Sequence, residues 1–136
     1  MQSTYFTVLN WVSCRIWPDR SADPTKSNVL EEAFPVFAHN WLGDRAETWF
    51  LDLLCVHPDA QGKGFGRELG LWGVQCSEEE GVCASVICAE NKEGFYGKLG
   101  FVEKGRANVG VLKDVRGGAI MFRDIPIDRQ VMVGEG

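Results

Sequence analysis

The sequence predicts an α/β fold, in which helices cover the faces of a β-sheet. The clearest observation is a nearly continuous apolar segment at residues 48–56, which is typical of a central strand covered on both faces. A glycine-rich turn and an amphipathic helix follow it directly, and strands and helices continue to alternate up to residue 104. Because strands that alternate with helices are joined by parallel crossovers, we expect an α/β sheet with helices on its faces.

Length and charge limit the classes of function. The chain has 136 residues, which predicts one domain over residues 1–136. Its net charge of −5 argues against nucleic acid as the main partner, because that binding requires surplus Lys and Arg. The sequence contains no apolar run near the ~20 residues that cross a bilayer, and its start lacks the layout of a secretory signal. We therefore expect a cytoplasmic protein without membrane partners.

Cysteine and histidine usage predicts reduced thiols and no metal site. The chain has an odd number of cysteines without a C-x-x-C pair, which favours free and mostly buried thiols in a reducing compartment. His39 and His57 are far apart and lack the spacing of zinc ligands. The five cysteines are Cys14, Cys55, Cys76, Cys83 and Cys88.

The first third of the chain predicts strand, loop and helix in that order. Residues 5–17 are rich in β-branched and aromatic side chains, which indicates one strand or two short ones. Residues 18–27 form a loop by their Pro, Asp and Ser content. Asn28 is placed to cap a helix that Pro35 would kink or interrupt. The apolar positions of this helix are Leu30, Phe34, Phe37 and Trp41.

The remaining elements are predicted from the spacing of their apolar residues and from the glycines that end helices. The helix after the glycine-rich turn is expected to end at Gly81. Its predicted buried stripe consists of Phe65, Leu69, Trp72 and Cys76. The later elements are a buried strand, a short helix and two strands, predicted at 82–88, at 92–99, from Phe101 onward and at 118–123.

The turn between the apolar strand and its helix predicts an anion site. It contains Gln61-x-x-Gly64-x-Gly66, so its backbone can come very close to a ligand. Free N–H groups and the positive end of the helix dipole would then point at one spot, where a pyrophosphate binds most simply. A P-loop is excluded because Gly62-Lys63 is followed by glycine, and the G-x-G-x-x-G dinucleotide fingerprint is absent.

Two ordered motifs resemble the GCN5-related N-acetyltransferase (GNAT) superfamily. The first is the turn itself, which is similar to the family's [Gln/Arg]-x-x-Gly-x-[Gly/Ala] pattern after a strand. The second is the segment from Asn91 through Tyr96 to Phe101, which looks like the family's Asn…Phe-Tyr-x-x-x-Gly-Phe stretch. The resemblance covers about residues 28–104. It implies a mixed, mostly antiparallel sheet with a central parallel strand pair and helices on both faces.

The resemblance also implies acetyl-CoA as co-substrate, without a metal. Backbone groups of Leu54, Cys55 and Val56 would hold the pantetheine arm and the thioester, and Asn91 would contact the same arm. Two alternatives remain open: the glycines form only a tight structural turn, and Asn91 is a helix N-cap. The residues implied to cradle the pyrophosphate are Gln61, Gly62, Lys63, Gly64, Phe65, Gly66 and Arg67.

Two catalytic residues are candidates. Tyr96 matches the family's general acid, which protonates the departing thiolate; the alternative is a core aromatic residue. Asp52 is the only ionisable group on an otherwise apolar strand, so we expect it to be buried beside the thioester as the base, directly or through water. The alternative is a structural Asp bonded to neighbouring backbone. Phe50 stands where other relatives have a catalytic Glu, and His57 is expected at the surface.

The chain departs from the family at its start, where the first strand and helix pair are expected to be missing. Such a shortened form would be completed by a partner chain, for example in a homodimer, or would bind its acceptor less well. The expected function is an acetyl-CoA-dependent N-acetyltransferase in which a primary amine attacks the thioester directly. The alternative is a catalytically degenerate CoA-binding interaction module. The acceptor class stays open between small amine, polyamine, amino sugar and peptide N-terminus.

Overall fold

A computed structural model describes residues 23–26 and 28–126, where three α-helices surround a four-stranded sheet. The helices are α1 (Val29–Phe37), α2 (Phe65–Glu80) and α3 (Glu93–Lys98). The strands are β1 (Thr48–Leu51), β2 (Cys83–Cys88), β3 (Val102–Arg106) and β4 (Ala119–Arg123). The strands predicted within residues 5–17 lie outside the described residues, and so does the question of a missing first strand.

The sheet is mixed, as predicted. Its order is β1-β2-β4-β3; β1 and β2 pair in parallel, and the other two pairs are antiparallel. Among the described strands β1 lies at the edge of the sheet, and the residues predicted to form further strands lie outside the described part of the chain. The predicted strand over residues 48–56 is too long, because β1 ends at Leu51.

Two apolar clusters cover the two faces of the sheet. On one face, α2 and α3 pack on the sheet through a cluster that includes Val74, Leu99 and Met121. On the other face, α1 contributes Phe37 to a cluster that includes Phe122. Met121 and Phe122 face opposite clusters because side chains alternate along a strand. The sheet is thus the middle layer of the described structure.

The buried face of α2 differs from the predicted stripe. Phe65, Leu69 and Trp72 are exposed, and the helix buries Gly70 and other small residues instead. A Cβ atom added at Gly70 would lie 2.6 Å from Cδ1 of Leu99, so glycine permits the close approach of this helix. Periodicity locates an apolar stripe correctly, but it does not show that the core contact is made through smaller residues beside it.

Helix α1 continues through Pro35 rather than stopping there. Phe37 is buried as predicted, whereas Leu30 and Phe34 are exposed. Asn28 occupies the N-cap position, but its side chain makes no capping hydrogen bond. The proline lies seven residues into a nine-residue helix, so its ring removes only one late backbone bond.

Candidate active site

The two parallel strands separate and leave a groove between them. β1 and β2 pair from Thr48 opposite Cys83 to Leu51 opposite Val86, and β2 then continues to Cys88 paired only with β4. Residues 52–56 leave the sheet, and a groove of about 570 Å³ lies between them and residues 86–89. The backbone amides of residues 53–56 find no acceptor among the described residues, so in this part of the chain the wall of the groove presents unpaired N–H groups.

The glycine-rich turn closes one end of the groove. Gly62 and Gly64 have φ angles of 74° and 87°, which are in the left-handed region that L side chains rarely adopt. The side chain of Gln61 donates from Nε2 to the carbonyl oxygen of Val56 at 3.0 Å. This hydrogen bond fastens the turn to the end of the apolar segment and fixes where its backbone points.

The amides of residues 62–67 donate to no described residue. Helix α2 begins at Phe65, and its first helical bond runs from the Glu68 amide to the Gly64 carbonyl oxygen at 3.0 Å. Free amides therefore combine with the positive end of a 16-residue helix. Arg67 is exposed at the rim and adds a full positive charge. Such an arrangement is suited to an anion with several oxygen atoms.

Tyr96 lies on α3 and lines the groove. Its ring makes edge contacts with Phe95 and Phe101 at centroid distances of 5.0 and 5.8 Å. Burial raises the pKa of the phenol above its ordinary value, and the neighbouring Cys88 raises it further. The hydroxyl therefore keeps its proton at neutral pH and is available as a donor.

Cys88 is a buried thiol in the same groove. Burial raises its pKa, and the negative charge of Glu93 adds to the shift. Its Sγ atom lies 3.8 Å from Sδ of Met121, in apolar surroundings. Because the thiolate is the nucleophilic form, this cysteine is a poor nucleophile near neutral pH.

Residues 30–103 match the family model for the acetyltransferase (GNAT) domain. The matched segment is more than half of the 136 residues and contains the glycine-rich turn and Tyr96. The chain belongs to the GNAT acetyltransferase family. The predicted family and fold class are confirmed, and the domain supports acetyl transfer from an acyl-CoA donor in general terms.

The burial of Asp52, a candidate catalytic residue of this GNAT domain, was predicted wrongly. Asp52 is exposed rather than buried, although it does line the groove. The expectation assumed a strand through residue 56, whereas β1 ends one residue before Asp52, where the chain turns away from the sheet. His57 is exposed as expected, and its Nδ1 accepts a hydrogen bond from the Asp59 amide at 3.3 Å.

Most of the GNAT site residues predicted from the sequence line the groove together. They are Asp52, Leu54, Val56, Gln61, Gly62, Gly64, Phe65, Gly66, Arg67 and Tyr96. Cys55, Lys63 and Asn91 do not line it. The N-cap alternative for Asn91 is wrong, because the cap position of α3 is Lys92, and Asn91 adopts a left-handed φ of 62°.

Sequence reasoning missed the opposite wall of the groove. Residues 86–89 at the end of β2 form this wall, with Lys92 and Phe95 beside them. The general rule that ligands bind at the carboxyl ends of parallel strands could have indicated it. The partner of the apolar strand was not assigned from the sequence, and without that pairing the rule has no second strand to apply to.

The described residues of the GNAT domain hold no candidate metal centre, membrane-spanning helix or disulfide. The described residues contain no group of three or more His, Cys, Asp or Glu side chains arranged to hold a metal ion. No helix among them is both long and apolar enough to span a bilayer. Cys14 lies outside the described residues. The described cysteines are all free thiols. Cys83 and Cys88 are buried, Cys76 is partly buried and Cys55 is exposed.

Proposed function

We propose that this protein transfers the acetyl group of acetyl-CoA to a primary amine, which attacks the thioester directly in a ternary complex. One observation carries the proposal. The amides of residues 62–67 find no acceptor among the described residues, and they lie where two parallel strands separate into a groove. A CoA molecule has the matching parts, a diphosphate and a long arm with amide groups.

The chain's own groups would hold acetyl-CoA in two ways. The diphosphate would accept hydrogen bonds from the turn and from Arg67, and each charge-assisted bond contributes about 1.5–3 kcal/mol. The pantetheine arm would pair with the free amides of residues 53–56, as an extended peptide pairs with a strand edge. The candidate alternative, a purely structural turn, leaves these amides without a role.

Transfer would form one bond and break one bond. The amine nitrogen attacks the carbonyl carbon, the C–N bond forms, and the C–S bond breaks as its electron pair goes to sulfur. The Tyr96 hydroxyl would then donate its proton to the departing thiolate, whose thiol has a pKa of ~8.5, and the proton that the attacking nitrogen loses as it becomes an amide would pass through water to restore the phenol. Because its pKa is raised, the hydroxyl carries its proton at neutral pH, as a general acid must before it donates. Cys88, whose pKa is also raised, is unsuited to an acyl-enzyme intermediate, which favours direct attack.

A base is needed because roughly one alkylamine molecule in 10³ is deprotonated at neutral pH. Asp52 lines the groove and is exposed, so it would accept the ammonium proton directly or through water. Asp52→Asn is expected to lower kcat by roughly 10²-fold, the lower range for loss of a positioned base. Asp114→Asn, an exposed carboxylate that does not line the groove, is the matched control.

The test is thiol release from acetyl-CoA with a panel of amines. We expect release that depends on the amine and an N-acetylated product detectable by mass spectrometry. CoA binding without release for any amine would favour the degenerate interaction module over the enzyme. An Asp52→Asn enzyme as active as Asp114→Asn would remove Asp52 from the mechanism.

A further inference from the structure

A second groove of about 530 Å³ lies between β1 and α2. It meets the first groove at a shared stretch, residues 51–54, and at Tyr96, which lines both. The end of the second groove therefore lies beside the proposed position of the thioester. Nothing in the proposed binding of acetyl-CoA uses the rest of it.

The walls of this groove are apolar and partly open to solvent. Leu53 is 79% exposed, Trp72 62% and Leu69 48%. Leu69 and Trp72 belong to the stripe on α2 that was predicted to be buried, and Leu53 lies on the segment that follows β1. Exposed apolar side chains that cluster in a concave site mark a place that another molecule covers.

Two tryptophans shape the groove. Trp49 and Trp72 make an edge contact at a centroid distance of 6.1 Å and an interplanar angle of 86°. The indole nitrogen of Trp49 donates to Glu80 Oε2 at 2.8 Å, which holds this ring in place. With the Trp49 N–H group satisfied, its ring offers only apolar surface to the groove.

The charged residues that line the groove determine which charge its ligand can carry. No described Lys, Arg or His lines the groove, whereas the carboxylate of Asp52 does, at the end shared with the first groove. An ammonium group is complementary to this carboxylate, and an apolar group is complementary to the remaining surface. A primary amine that carries an apolar group has both the ammonium group and the apolar surface that the groove requires.

On these grounds, and resting on the proposed function, the geometry points to this groove as the acceptor site, which takes a primary amine with an aromatic or branched apolar group. The volume is within the range of about 300–1,000 Å³ for small-molecule sites. Polyamines and amino sugars would place charges or hydroxyls against Leu53 and Leu69, whose side chains offer no hydrogen bond. These two classes are therefore disfavoured as acceptors.

The experiment is calorimetric titration of amines into the full chain saturated with CoA. We expect 2-phenylethylamine to bind, ethanolamine to bind at least tenfold more weakly, and the neutral 2-phenylethanol to bind more weakly than the amine. Trp72→Ala is expected to weaken 2-phenylethylamine about tenfold. Leu71→Ala, an exposed leucine on the same helix that lines neither groove, is expected to leave this affinity unchanged.

The outcomes separate this inference from the proposed function. If 2-phenylethylamine does not bind, or binds equally to Trp72→Ala, the groove is not the acceptor site, even where another amine supports thiol release. If it binds through Trp72 and no amine releases thiol, the site stands and the enzyme reading fails. A dimer by light scattering that Trp72→Ala converts to a monomer would assign the groove to a second copy. If the protein is a monomer and binds no apolar amine, the groove would be assigned to the chain's own remaining residues. Both results overturn the inference.

Discussion

Tyr96 and Asp52 show how the position of a residue decides the chemistry it can perform. Both line the same groove, yet Tyr96 is buried on α3 and Asp52 is exposed just after β1. The motif around Tyr96 was readable in the sequence because it is local. The burial of Asp52 was predicted wrongly because it depends on where β1 leaves its partner strand, which no local pattern records.

Replacement of Tyr96 by phenylalanine tests the acid. The ring contacts with Phe95 and Phe101 remain possible, so we expect the fold and CoA affinity to be preserved. Without the hydroxyl, kcat is expected to fall by roughly 10²- to 10⁴-fold. Steady-state thiol release measures this, with calorimetry of CoA binding as the control. Unchanged turnover would return Tyr96 to the role of a core aromatic residue.

The glycine-rich turn and the end of its helix are the features that the sequence predicted best. Gly64 and the helix that ends at Gly81 follow from local rules, and both glycines adopt left-handed φ angles as such positions require. The buried face of α2 was not predictable, because it is set by the contact of Gly70 with Leu99 across the core. Residues that allow close packing carry little hydrophobic signal of their own.

Alanine at two matched glycines tests the turn. Gly64 and Gly43 both have left-handed φ angles, and a Cβ at either would meet nothing within 4 Å. Each substitution is therefore expected to cost about 1 kcal/mol of unfolding free energy through backbone strain. Only Gly64→Ala should also weaken CoA, by roughly tenfold, because it moves the free amides of the turn. Equal CoA affinities of the two variants would contradict this role.

Two glycines on α2 test its packing. A Cβ at Gly70 would lie 2.6 Å from the buried Leu99 side chain, whereas one at Gly73 would meet nothing within 4 Å. Gly70→Ala is expected to destabilise by about 1–2 kcal/mol through overpacking. Gly73→Ala is expected to stabilise by about 0.5–1 kcal/mol through helix propensity. Urea denaturation measures the unfolding free energy of both variants. A stabilising Gly70→Ala would show that the packing around Leu99 rearranges to accommodate the methyl group.

At the scale of the molecule, a bidentate ion pair ties the segment before β1 to the end of β4. Arg45 donates to Asp124 at 2.8 and 2.7 Å, and its guanidinium lies 4.6 Å from the ring centroid of Phe122. This contact links residues 79 positions apart. This pair was not predictable from the sequence, because nothing near either residue specifies a partner so distant along the chain.

The pair predicts a contribution to acid stability. The hydrogen bond to Arg45 lowers the pKa of Asp124 in the folded state. A lowered folded pKa means that the contribution is present above the unfolded pKa of ~3.9 and is lost as the pH falls below it. Asp124→Asn is therefore expected to lower stability at pH 6 and to reduce the loss between pH 4 and 3. Urea denaturation at these pH values checks this, and parallel curves for both proteins would contradict it.

The family assignment came from two local motifs, whereas the described edge position of β1 and the two grooves that meet at Tyr96 emerged only from the assembled sheet. Strand order and helix faces are properties of contacts between distant segments. Local glycine chemistry predicts the turn and its left-handed residues, and it says little about what the neighbouring apolar surface accepts.

Titration of CoA into the full chain, followed by the NMR shifts of the amides of residues 62–67, tests the central claim most directly. We predict saturable binding, with downfield shifts of these amide protons as they acquire phosphate acceptors, and weaker binding by Gly64→Ala. The absence of heat at millimolar CoA, or binding that leaves all six amides unshifted, would contradict the account.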